Sequence, residues 1–598
     1  MSPTLNKIWL YRSAALFVLF LTFCGYAFSK LVFSPVPWPD GSAFYLPSLD
    51  LFSWPPLWKM HSQAAFVPTY DTANYNMMPL LPAILGLFTR LGLGQVFGGP
   101  LAIKMISLGG LVLFAWHLWD WILKRSGSIW IASAVGLAAL WDPVNRWGTL
   151  VVRSEIWIGL FWILILKKLG EMPTQSRRCV WISLYLALAA YTHFEAIILV
   201  PATIVGLFPF RGANLATSRA PKWAPNWTKE WLRDLVRVGI FTGLFLLPWG
   251  VYVLAHFRLF LEQMHTQFFR LGGANYWVSS PYLIFHSLFL ELGSPTGVAK
   301  FFNVAKAVFW LLIFTVTGVT AYAMSLRKNN GLELMVASGV AFWVSFYLWC
   351  TKPEVWFITL CHLMLWPWVG ASLTWARNRA NSGFAVSFRG GFSKNPVARV
   401  LMGGAIVYSV FSLVANAELN RRINPKYSWN IYRQWVGCIE RAVLLGHEKE
   451  HPRVWQPHLP DILVELSSRR PNWDLTRTLD FEALRGDAWK FTEKADAIVM
   501  SRFLNGAALV GPVASPAMAP ALALTGNPRK KFSLDYEGPE RAQDRKLVET
   551  ELDQPFGPWI LERLPQEQPG QWSRHVCQRG PFFADVAVRE SLPLNLVK

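Results

Sequence analysis

Charged residues are scarce in this 598-residue chain, at 16% of the total, whereas hydrophobic residues make up 53%. A soluble protein carries about a quarter of its residues as charges, so this balance excludes a soluble enzyme and a disordered chain. The apolar residues cluster in long runs, such as 108–121, 156–166 and 309–324. Runs of about 20 apolar residues form membrane-spanning helices, because a helix satisfies its own backbone in lipid. The sequence therefore predicts a multispanning membrane protein.

Cysteine is also rare, with six residues in the chain, which excludes a secreted disulfide scaffold. Cys438 and Cys577 lie in the polar C-terminal part, where they can form a disulfide if this part lies outside the cytoplasm. The other four lie in or beside apolar runs, where a small apolar side chain is a sufficient explanation: Cys24, Cys179, Cys350 and Cys361.

Signatures of nucleic-acid and nucleotide binding are missing, although the net charge is +20, from 57 Lys and Arg against 37 Asp and Glu. No basic segment is interleaved with aromatic residues, no zinc-finger spacing occurs, and no glycine-rich phosphate loop is present. Cytoplasmic loops of membrane proteins concentrate Lys and Arg, which explains the charge without a nucleic-acid partner. The sequence also has no internal repeat, which counts against transporters built from duplicated halves.

The first apolar run, 14–33, follows Lys7 and Arg12 and carries Lys30 where a cleavage motif would lie, so it predicts a retained signal anchor. Because basic residues precede this run, we expect the N-terminus in the cytoplasm. A helix at the membrane interface is predicted at 77–93. Ten further spans complete an α-helical polytopic membrane protein of about eleven spans: 99–123, 129–141, 151–166, 179–191, 196–210, 236–255, 301–326, 334–349, 355–374 and 400–413.

The distribution of Lys and Arg orients these spans, because the basic residues concentrate in alternate connections and thereby mark the cytoplasmic side. The membrane domain is predicted over 1–417, with large outer loops at 34–98 and 256–300. An odd number of spans places the tail, 418–598, outside the cytoplasm as a soluble α/β domain. We expect the inner (plasma) membrane of a bacterium, with the tail in the periplasm. Within the tail, the pattern predicts two strands and one helix, at 453–456, 495–500 and 461–468.

Ionisable residues that membrane insertion does not explain collect on the predicted outer face. The first outer loop contains Asp40 and Asp71, and further candidates follow in outer loops or at the outer ends of spans: Asp142, Arg146, Arg153, Glu155, His193, Glu195, Arg270 and Lys352. Together they predict a polar cavity of mixed charge. Arg and Lys in such a cavity can bind a phosphate anion, and an isolated carboxylate can act as a general base.

These two abilities suit the transfer of a sugar from a lipid phosphate, because the departing phosphate needs no protonation. One carboxylate that deprotonates the acceptor hydroxyl is then sufficient, whereas glycosidases need a pair. A single displacement of this kind inverts the anomeric carbon. We therefore predict Asp40 as the general base, with Asp71 in the same loop as its rival.

Four short motifs are spread over the membrane part of the chain: Asp40 after the first span, Pro79-Leu-Leu-Pro82 before Lys104, Arg153-Ser154-Glu155 at the start of a span, and Lys352 before the tenth span. In these motifs the chain resembles the GT-C membrane glycosyltransferases that use polyprenyl-phosphate-linked sugars, such as protein O-mannosyltransferases and aminoarabinose transferase. The resemblance implies a lipid-linked donor, a catalytic Asp40 and phosphate-binding cations at positions such as Arg153 and Lys352.

Metal dependence and the acceptor stay open at this stage. Some relatives bind a divalent metal near the donor phosphate, and Glu195, His265 and His286 are candidate ligands, but their spacing is not diagnostic. Two other function classes also remain: a transporter or flippase of a lipid-linked or anionic solute, and a polysaccharide polymerase or ligase.

Overall fold

The computed structural model describes part of the chain: residues 78–92, 99–150, 152–171, 175–208, 226–255, 299–326, 331–351, 357–381, 396–422, 429–446, 451–456, 462–470, 472–477, 494–503, 572–580 and 582–589, with single residues between 257 and 264. These residues form two compact units. One contains residues 107–419, and the other contains residues up to 106 together with those from 420 onward. The predicted signal anchor at 14–33 and the outer loop at 34–76 lie outside the described residues.

The first unit is entirely helical in its described part, because long apolar runs satisfy their backbone groups only within a helix when surrounded by lipid. Two helices, α1 (Leu80–Arg90) and α2 (Gly99–Ser126), begin in the other unit, and α2 enters this one at Ser107. The helices that follow are α3 (Ile129–Trp141), α4 (Pro143–Leu150), α5 (Glu155–Gly170), α6 (Gln175–Thr192), α7 (Leu199–Leu207, preceded by the 3-10 turn Phe194–Ile198), α8 (Asn226–Ala255), α9 (Ala299–Leu326), α10 (Leu332–Thr351), α11 (Phe357–Asn381) and α12 (Pro396–Arg422).

Each of the ten predicted spans after the anchor overlaps one of these helices. The predicted span at 151–166 began too early, because the chain turns at Val152 and α5 begins at Glu155, and the first residues of the predicted span at 196–210 belong to the 3-10 turn. By length and composition, three helical segments in the described part are able to cross a membrane: Leu101–Ser126, Lys229–Ala255 and Ala307–Leu326. Helix α8 exposes a row of large apolar side chains, including Val236, Ile240 and Leu244, which water would disfavour and lipid accepts. The chain is an integral membrane protein, and the count of eleven spans stays a prediction.

Helix α11 runs through the first unit and positions its polar end. Near its beginning, Thr359 packs against Gly148 of α4. Further along, Gly370 lets α11 approach Ile122 closely, and near the last turn the amide nitrogen of Asn378 donates to the carbonyl oxygen of Arg125 at 3.3 Å. The start of α11, α4 and the start of α5 therefore lie at one end of the helical unit, opposite the end of α2.

The second unit contains a mixed five-stranded sheet in its C-terminal part. The strands are β1 (Arg453–Gln456), β2 (Asp474–Arg477), β3 (Ala497–Phe503), β4 (Trp572–Arg579) and β5 (Phe582–Arg589), in the spatial order β2-β1-β3-β5-β4. Strand β1 pairs in parallel with β2 and β3, whereas β5 is antiparallel to β3 and β4. The two predicted strands correspond to β1 and β3, and the predicted helix at 461–468 corresponds to α14 (Leu463–Arg469).

An amphipathic helix, α13 (Trp429–Gly446), packs on β4 and β5 and closes the core of this part. The ring of Trp435 stacks on Phe582 with centroids 5.2 Å apart, and its indole N–H donates to the carbonyl oxygen of Cys577 at 3.2 Å. A disulfide joins Cys438 on α13 to Cys577 on β4, with the two Cα atoms 5.8 Å apart. The predicted pairing of these two cysteines is therefore confirmed.

Candidate functional site

The turn between α3 and α4 is held by the side chain of Asp142. Its Oδ1 accepts hydrogen bonds from the backbone N–H of Val144 at 2.9 Å and of Asn145 at 3.3 Å, which caps the start of α4. The side-chain amide of Asn145 in turn donates to the carbonyl oxygen of Ala139 at 2.9 Å. Asp142 thus fixes where α4 begins and how it leaves α3.

The other carboxylate oxygen of Asp142 contacts three side chains from two further helices in a buried polar cluster. Oδ2 lies 2.7 Å from Nδ1 of His362, and it accepts from the indole N–H of Trp366 at 3.0 Å and from the hydroxyl of Tyr408 at 3.1 Å. All four side chains are buried. Because a carboxylate oxygen only accepts hydrogen bonds, Nδ1 is the donor in this contact, and we assign the imidazole hydrogen of His362 to it. This cluster ties α3 and α4 to α11 and α12.

Two buried oxygens border this cluster. Within the described residues, the Oδ1 of Asn145 and the Oγ1 of Thr359 have no hydrogen-bond partner. Buried polar atoms are nearly always hydrogen-bonded in folded proteins, so such exceptions occur where water or a ligand binds. The end of the helical unit that carries α4 therefore has unused hydrogen-bonding capacity.

The connection from α4 to α5 has an unusual backbone. Val152 has a φ of +58°, in the left-handed region that β-branched residues rarely adopt. Its conformation is stabilised by the N–H of Arg153, which donates to the carbonyl oxygen of Gly148 at 2.8 Å. Backbone strain of this kind is concentrated at functional sites, where the surrounding structure imposes it. Here it sets the direction in which Arg153 leaves the chain.

Arg153 and Glu155 form a buried ion pair at the start of α5. The Nε of Arg153 lies 3.1 Å and 3.0 Å from the two carboxylate oxygens of Glu155, and Nη2 also contacts Oε1. Glu155 is fully buried, and Arg153 is 8% exposed. A carboxylate in the first turn is favoured by the helix dipole. The pair thus holds the guanidinium in one orientation with its charge partly compensated.

His193 and Glu195 lie at the end of α6. Nδ1 of His193 accepts from the backbone N–H of Glu195 at 3.3 Å and lies 3.7 Å from its Oε2, so His193 caps the 3-10 turn. Helix α5 begins at Glu155 and packs against α6, the next helix in the chain, which runs antiparallel to it. The start of α5 and the end of α6 are therefore at the same end of the pair. The four candidate residues Arg153, Glu155, His193 and Glu195 thus occur at the same end of this helix pair.

Several predicted site residues lie outside the described residues: Asp40, Asp71, Arg270, Lys352, His265 and His286. Lys352 follows Thr351, the last residue of α10, directly in the chain. Within the described ranges, no group of three or more His, Cys, Asp or Glu side chains is arranged to hold a metal ion.

Sequence reasoning missed His362, Trp366 and Tyr408, because all three lie within predicted spans and were counted as apolar. A signal for them was present. His362 and Trp366 are spaced i, i+4 and share a helix face. An ionisable residue inside a span is by default a functional hypothesis with a partner to be found.

No protein-family model matches the chain, and no curated protein sequence matches at a significant level. Among solved structures, ArnT from Cupriavidus metallidurans bound to undecaprenyl phosphate is similar with a TM-score of 0.51 at 12% identity, covering 95% of this chain and 97% of that chain. The same ArnT in the apo state gives 0.47 at 12% identity, covering 84% and 95%. Archaeal oligosaccharyltransferase AglB from Archaeoglobus fulgidus, in complex with an inhibitory peptide and a dolichol-phosphate, gives 0.43 at 11% identity, covering 82% and 69%. The first comparison confirms the resemblance to GT-C glycosyltransferases at the level of the fold.

Proposed function

We propose that this protein is an inverting glycosyltransferase that moves a sugar from a polyprenyl-phosphate donor to an acceptor hydroxyl outside the cytoplasm. The observation that carries the proposal is the buried Arg153–Glu155 pair at the polar end of the helical unit. It lies in a fold shared with ArnT, whose structure contains undecaprenyl phosphate. Fold likeness alone does not determine chemistry, so the residues at this end carry the proposal.

In the proposed site, Arg153 binds the donor phosphate. A guanidinium has five N–H donors in a planar arrangement, so it can hold a carboxylate and a phosphate oxygen at the same time. Glu155 limits the net charge that Arg153 brings into a low-dielectric site and fixes its orientation. Lys352 and Arg270 are proposed as further cations for the phosphate, and His193 with Glu195 as polar groups for the sugar.

The chemical step is a single displacement at the anomeric carbon. The acceptor oxygen forms the new bond, the bond from the anomeric carbon to the phosphate oxygen breaks, and the lipid phosphate leaves with the electron pair. Asp40 takes the proton of the acceptor hydroxyl, with Asp71 as the alternative base. Cations on the leaving phosphate stabilise the charge that develops there.

The disulfide supports the proposed orientation. Cys438 and Cys577 are joined in the C-terminal part of the second unit. Structural disulfides persist in oxidising compartments such as the bacterial periplasm and are rare in the cytosol. This agrees with the basic connections that mark the opposite side as cytoplasmic. We therefore propose that the sheet-containing part lies in the periplasm and that the chain resides in the inner membrane.

The test uses purified protein in phosphatidylcholine nanodiscs, incubated with radiolabelled polyprenyl-phosphate sugars and bacterial cell envelope. We expect transfer by the wild type and at least a hundredfold lower rate for Asp40→Asn or, if the rival base operates, for Asp71→Asn. Asp50→Asn is the matched control from the same loop and keeps the wild-type rate. Transfer unaffected by both substitutions removes the proposed bases.

The second candidate is a transporter or flippase of a lipid-linked or anionic solute. Its support is the buried Asp142–His362 contact within the helical unit, since intramembrane ionisable pairs occur on transport pathways. The same purified protein, reconstituted into sealed vesicles in place of nanodiscs, distinguishes the two, because translocation of the intact lipid-linked sugar with no sugar released contradicts the enzyme proposal.

A further inference from the structure

Helix α13 carries two faces of opposite character. One face packs into the core of the second unit through Tyr432, Trp435, Val436, Ile439 and Val443, all fully buried. The other face is polar, and its residues follow helical spacing over nearly the whole helix: Asn430, Arg433, Gln434, Gly437 and Arg441. Residues at i, i+3, i+4, i+7 and i+11 share one side of a helix. The polar residues of α13 therefore form a continuous stripe.

This stripe forms one wall of an open cavity of about 380 Å³, called here the arginine cavity. Its other lining residues are Arg469 at the end of α14 and Arg579 at the end of β4. Among the lining residues that the structure describes, all but Gly437 have a polar or charged side chain, and four are arginines with no acid among them. A cavity of a few hundred Å³ is large enough for a small ligand.

The acids next to the cavity compensate only part of its charge. Glu465 accepts from Nε of Arg433 at 3.1 Å and from Nε of Arg469 at 2.8 Å. Glu440 accepts from Nη1 of Arg469 at 3.3 Å and from Nε of Arg470 at 2.7 Å. Two carboxylates are thus shared by three guanidinium groups, and their arrangement fixes Arg433 and Arg469 as cavity walls.

Two further arginines add charge that no acid offsets. Among the residues that the structure describes, Arg441 makes no ion pair, and Arg579 donates to the carbonyl oxygen of Gln578 at 2.9 Å without contacting an acid. Both are exposed at the cavity. The arginine cavity therefore has a surplus of positive charge together with the amide groups of Asn430 and Gln434.

Local packing holds the walls of the arginine cavity in place. A glycine inside a helix lowers its stability by about 1 kcal/mol relative to alanine. At Gly437 the close approach of Arg469 explains the glycine, because a Cβ at this position would lie 3.2 Å from Nη1 of Arg469. The next residue, Cys438, is linked to Cys577, two positions before Arg579. The disulfide thus ties the α13 wall to the strand that carries Arg579, so the guanidinium groups are arranged before a ligand arrives.

We propose that the arginine cavity binds a saccharide that carries phosphate groups. Guanidinium groups bind phosphate oxygens in pairs, and the amides of Asn430 and Gln434 supply donors and acceptors for sugar hydroxyls. This inference rests on the proposed function in one respect, since a transferase that modifies envelope glycans needs an acceptor-recognition site outside the membrane. The arginine cavity binds its ligand without catalysing a reaction, and it lies within the C-terminal part of the second unit.

The test measures binding of glucose 1,6-bisphosphate to the full-length protein in phosphatidylcholine nanodiscs by calorimetry. We expect binding at least tenfold tighter than that of inorganic phosphate, and no detectable binding of glucose. The double variant Arg441→Gln/Arg579→Gln is expected to lose at least tenfold in affinity. Arg574→Gln is the matched control, because Arg574 lies on the same strand, pairs with Asp585 and does not line the cavity. Intact disulfide and unchanged thermal unfolding verify that each variant is folded.

Three outcomes overturn the inference. The first is inorganic phosphate that binds as tightly as the bisphosphate, and the second is a control variant that loses as much affinity as the double variant. The third is binding of anionic phosphatidylglycerol vesicles alone, which identifies a lipid-surface contact instead. The Asp40→Asn variant separates this inference from the proposed function. Bisphosphate binding that persists in Asp40→Asn supports the cavity whatever the transfer assay shows, whereas transfer without bisphosphate binding overturns only the cavity.

Discussion

His362 and Asp142 are separated by 220 positions in the chain, yet Nδ1 of His362 lies 2.7 Å from Oδ2 of Asp142. The contact joins the start of α11 to the turn that begins α4. Helix α4 then leads through Val152 to Arg153, whose backbone N–H is bonded to Gly148. A polar contact inside the helical unit is thereby connected to the proposed phosphate-binding residue.

Asp142→Asn is expected to destabilise the protein by about 3 kcal/mol. An asparagine amide has one acceptor oxygen, and its NH₂ group would face the N–H or O–H donors that contact the carboxylate in the wild type. Each buried polar group left unsatisfied costs about 1–3 kcal/mol. Tyr408→Phe removes a single hydrogen bond to the same oxygen and is expected to cost about 1 kcal/mol. Unfolding in detergent, followed by tryptophan fluorescence, measures both. Equal stability of Asp142→Asn and the wild type contradicts the described network.

Arg153→Lys keeps the charge and removes the planar arrangement of donors. An ammonium group cannot reproduce the bidentate contact with Glu155, so the side chain loses its fixed orientation. We expect at least a tenfold lower transfer rate with donor bound more weakly. The control is Lys168→Gln at the exposed Lys168–Glu171 pair, which is expected to change neither rate nor stability appreciably. A wild-type rate in Arg153→Lys removes Arg153 from the proposed donor site.

Val152→Gly tests whether the left-handed backbone is a strained feature. Glycine adopts a φ of +58° without steric cost, whereas a left-handed L-residue costs about 1–2 kcal/mol. Glycine also gives the unfolded chain more freedom, which offsets about 0.5–1 kcal/mol of that gain. Val152 is also buried, so removing its side chain costs about 1.5–3 kcal/mol of apolar burial. Val152→Ala is therefore the reference, because it loses nearly the same burial and keeps the left-handed strain. We expect Val152→Gly to be at least as stable as Val152→Ala, together with a lower transfer rate, because Arg153 is less firmly directed. A clearly lower stability of Val152→Gly than of Val152→Ala contradicts the strained backbone.

Gly148→Ala is expected to separate α4 from α11. The added Cβ would lie 2.8 Å from Cγ2 of Thr359, a short β-branched side chain that has little room to move. Overpacking of this kind costs about 1–3 kcal/mol. Gly239→Ala on α8 is the matched control, since nothing lies within 4 Å of its new Cβ. The pair of variants is compared by thermal unfolding, and equal midpoints contradict the close approach of the two helices.

Cys438→Ser and Cys577→Ser are expected to give equal destabilisation of the C-terminal part, by about 2–5 kcal/mol, because each removes the same cross-link. Cys361→Ser is the control, since Cys361 is buried and is not part of a disulfide among the described residues. Thiol labelling under denaturing conditions counts two more reactive cysteines after reduction of the wild type. The same count before and after reduction shows that the disulfide is absent.

Much of the helical architecture was predictable because burial in lipid requires uninterrupted apolar runs, and the predicted segment at 129–141 has the bounds of α3. The ion pair between Arg153 and Glu155 was also predictable from the sequence, since only one residue separates them in the chain. The Asp142 cluster was not predictable in the same way. Its members come from three distant spans, and only tertiary packing brings His362 and Tyr408 to one oxygen. Asp40 and Lys352 stay predictions.

Strand β5 follows β3 and β4 in the chain, yet it lies between them in the described sheet. During synthesis this sheet therefore remains in two pieces, β2-β1-β3 and β4, until β5 has been made. Pairing of β3 with β5 joins segments far apart in the chain, which is slow and leaves strand edges exposed in the interval. Nascent chains stalled before Phe582 thus present an open edge at β3, where another chain can pair in a way that the completed sheet does not allow.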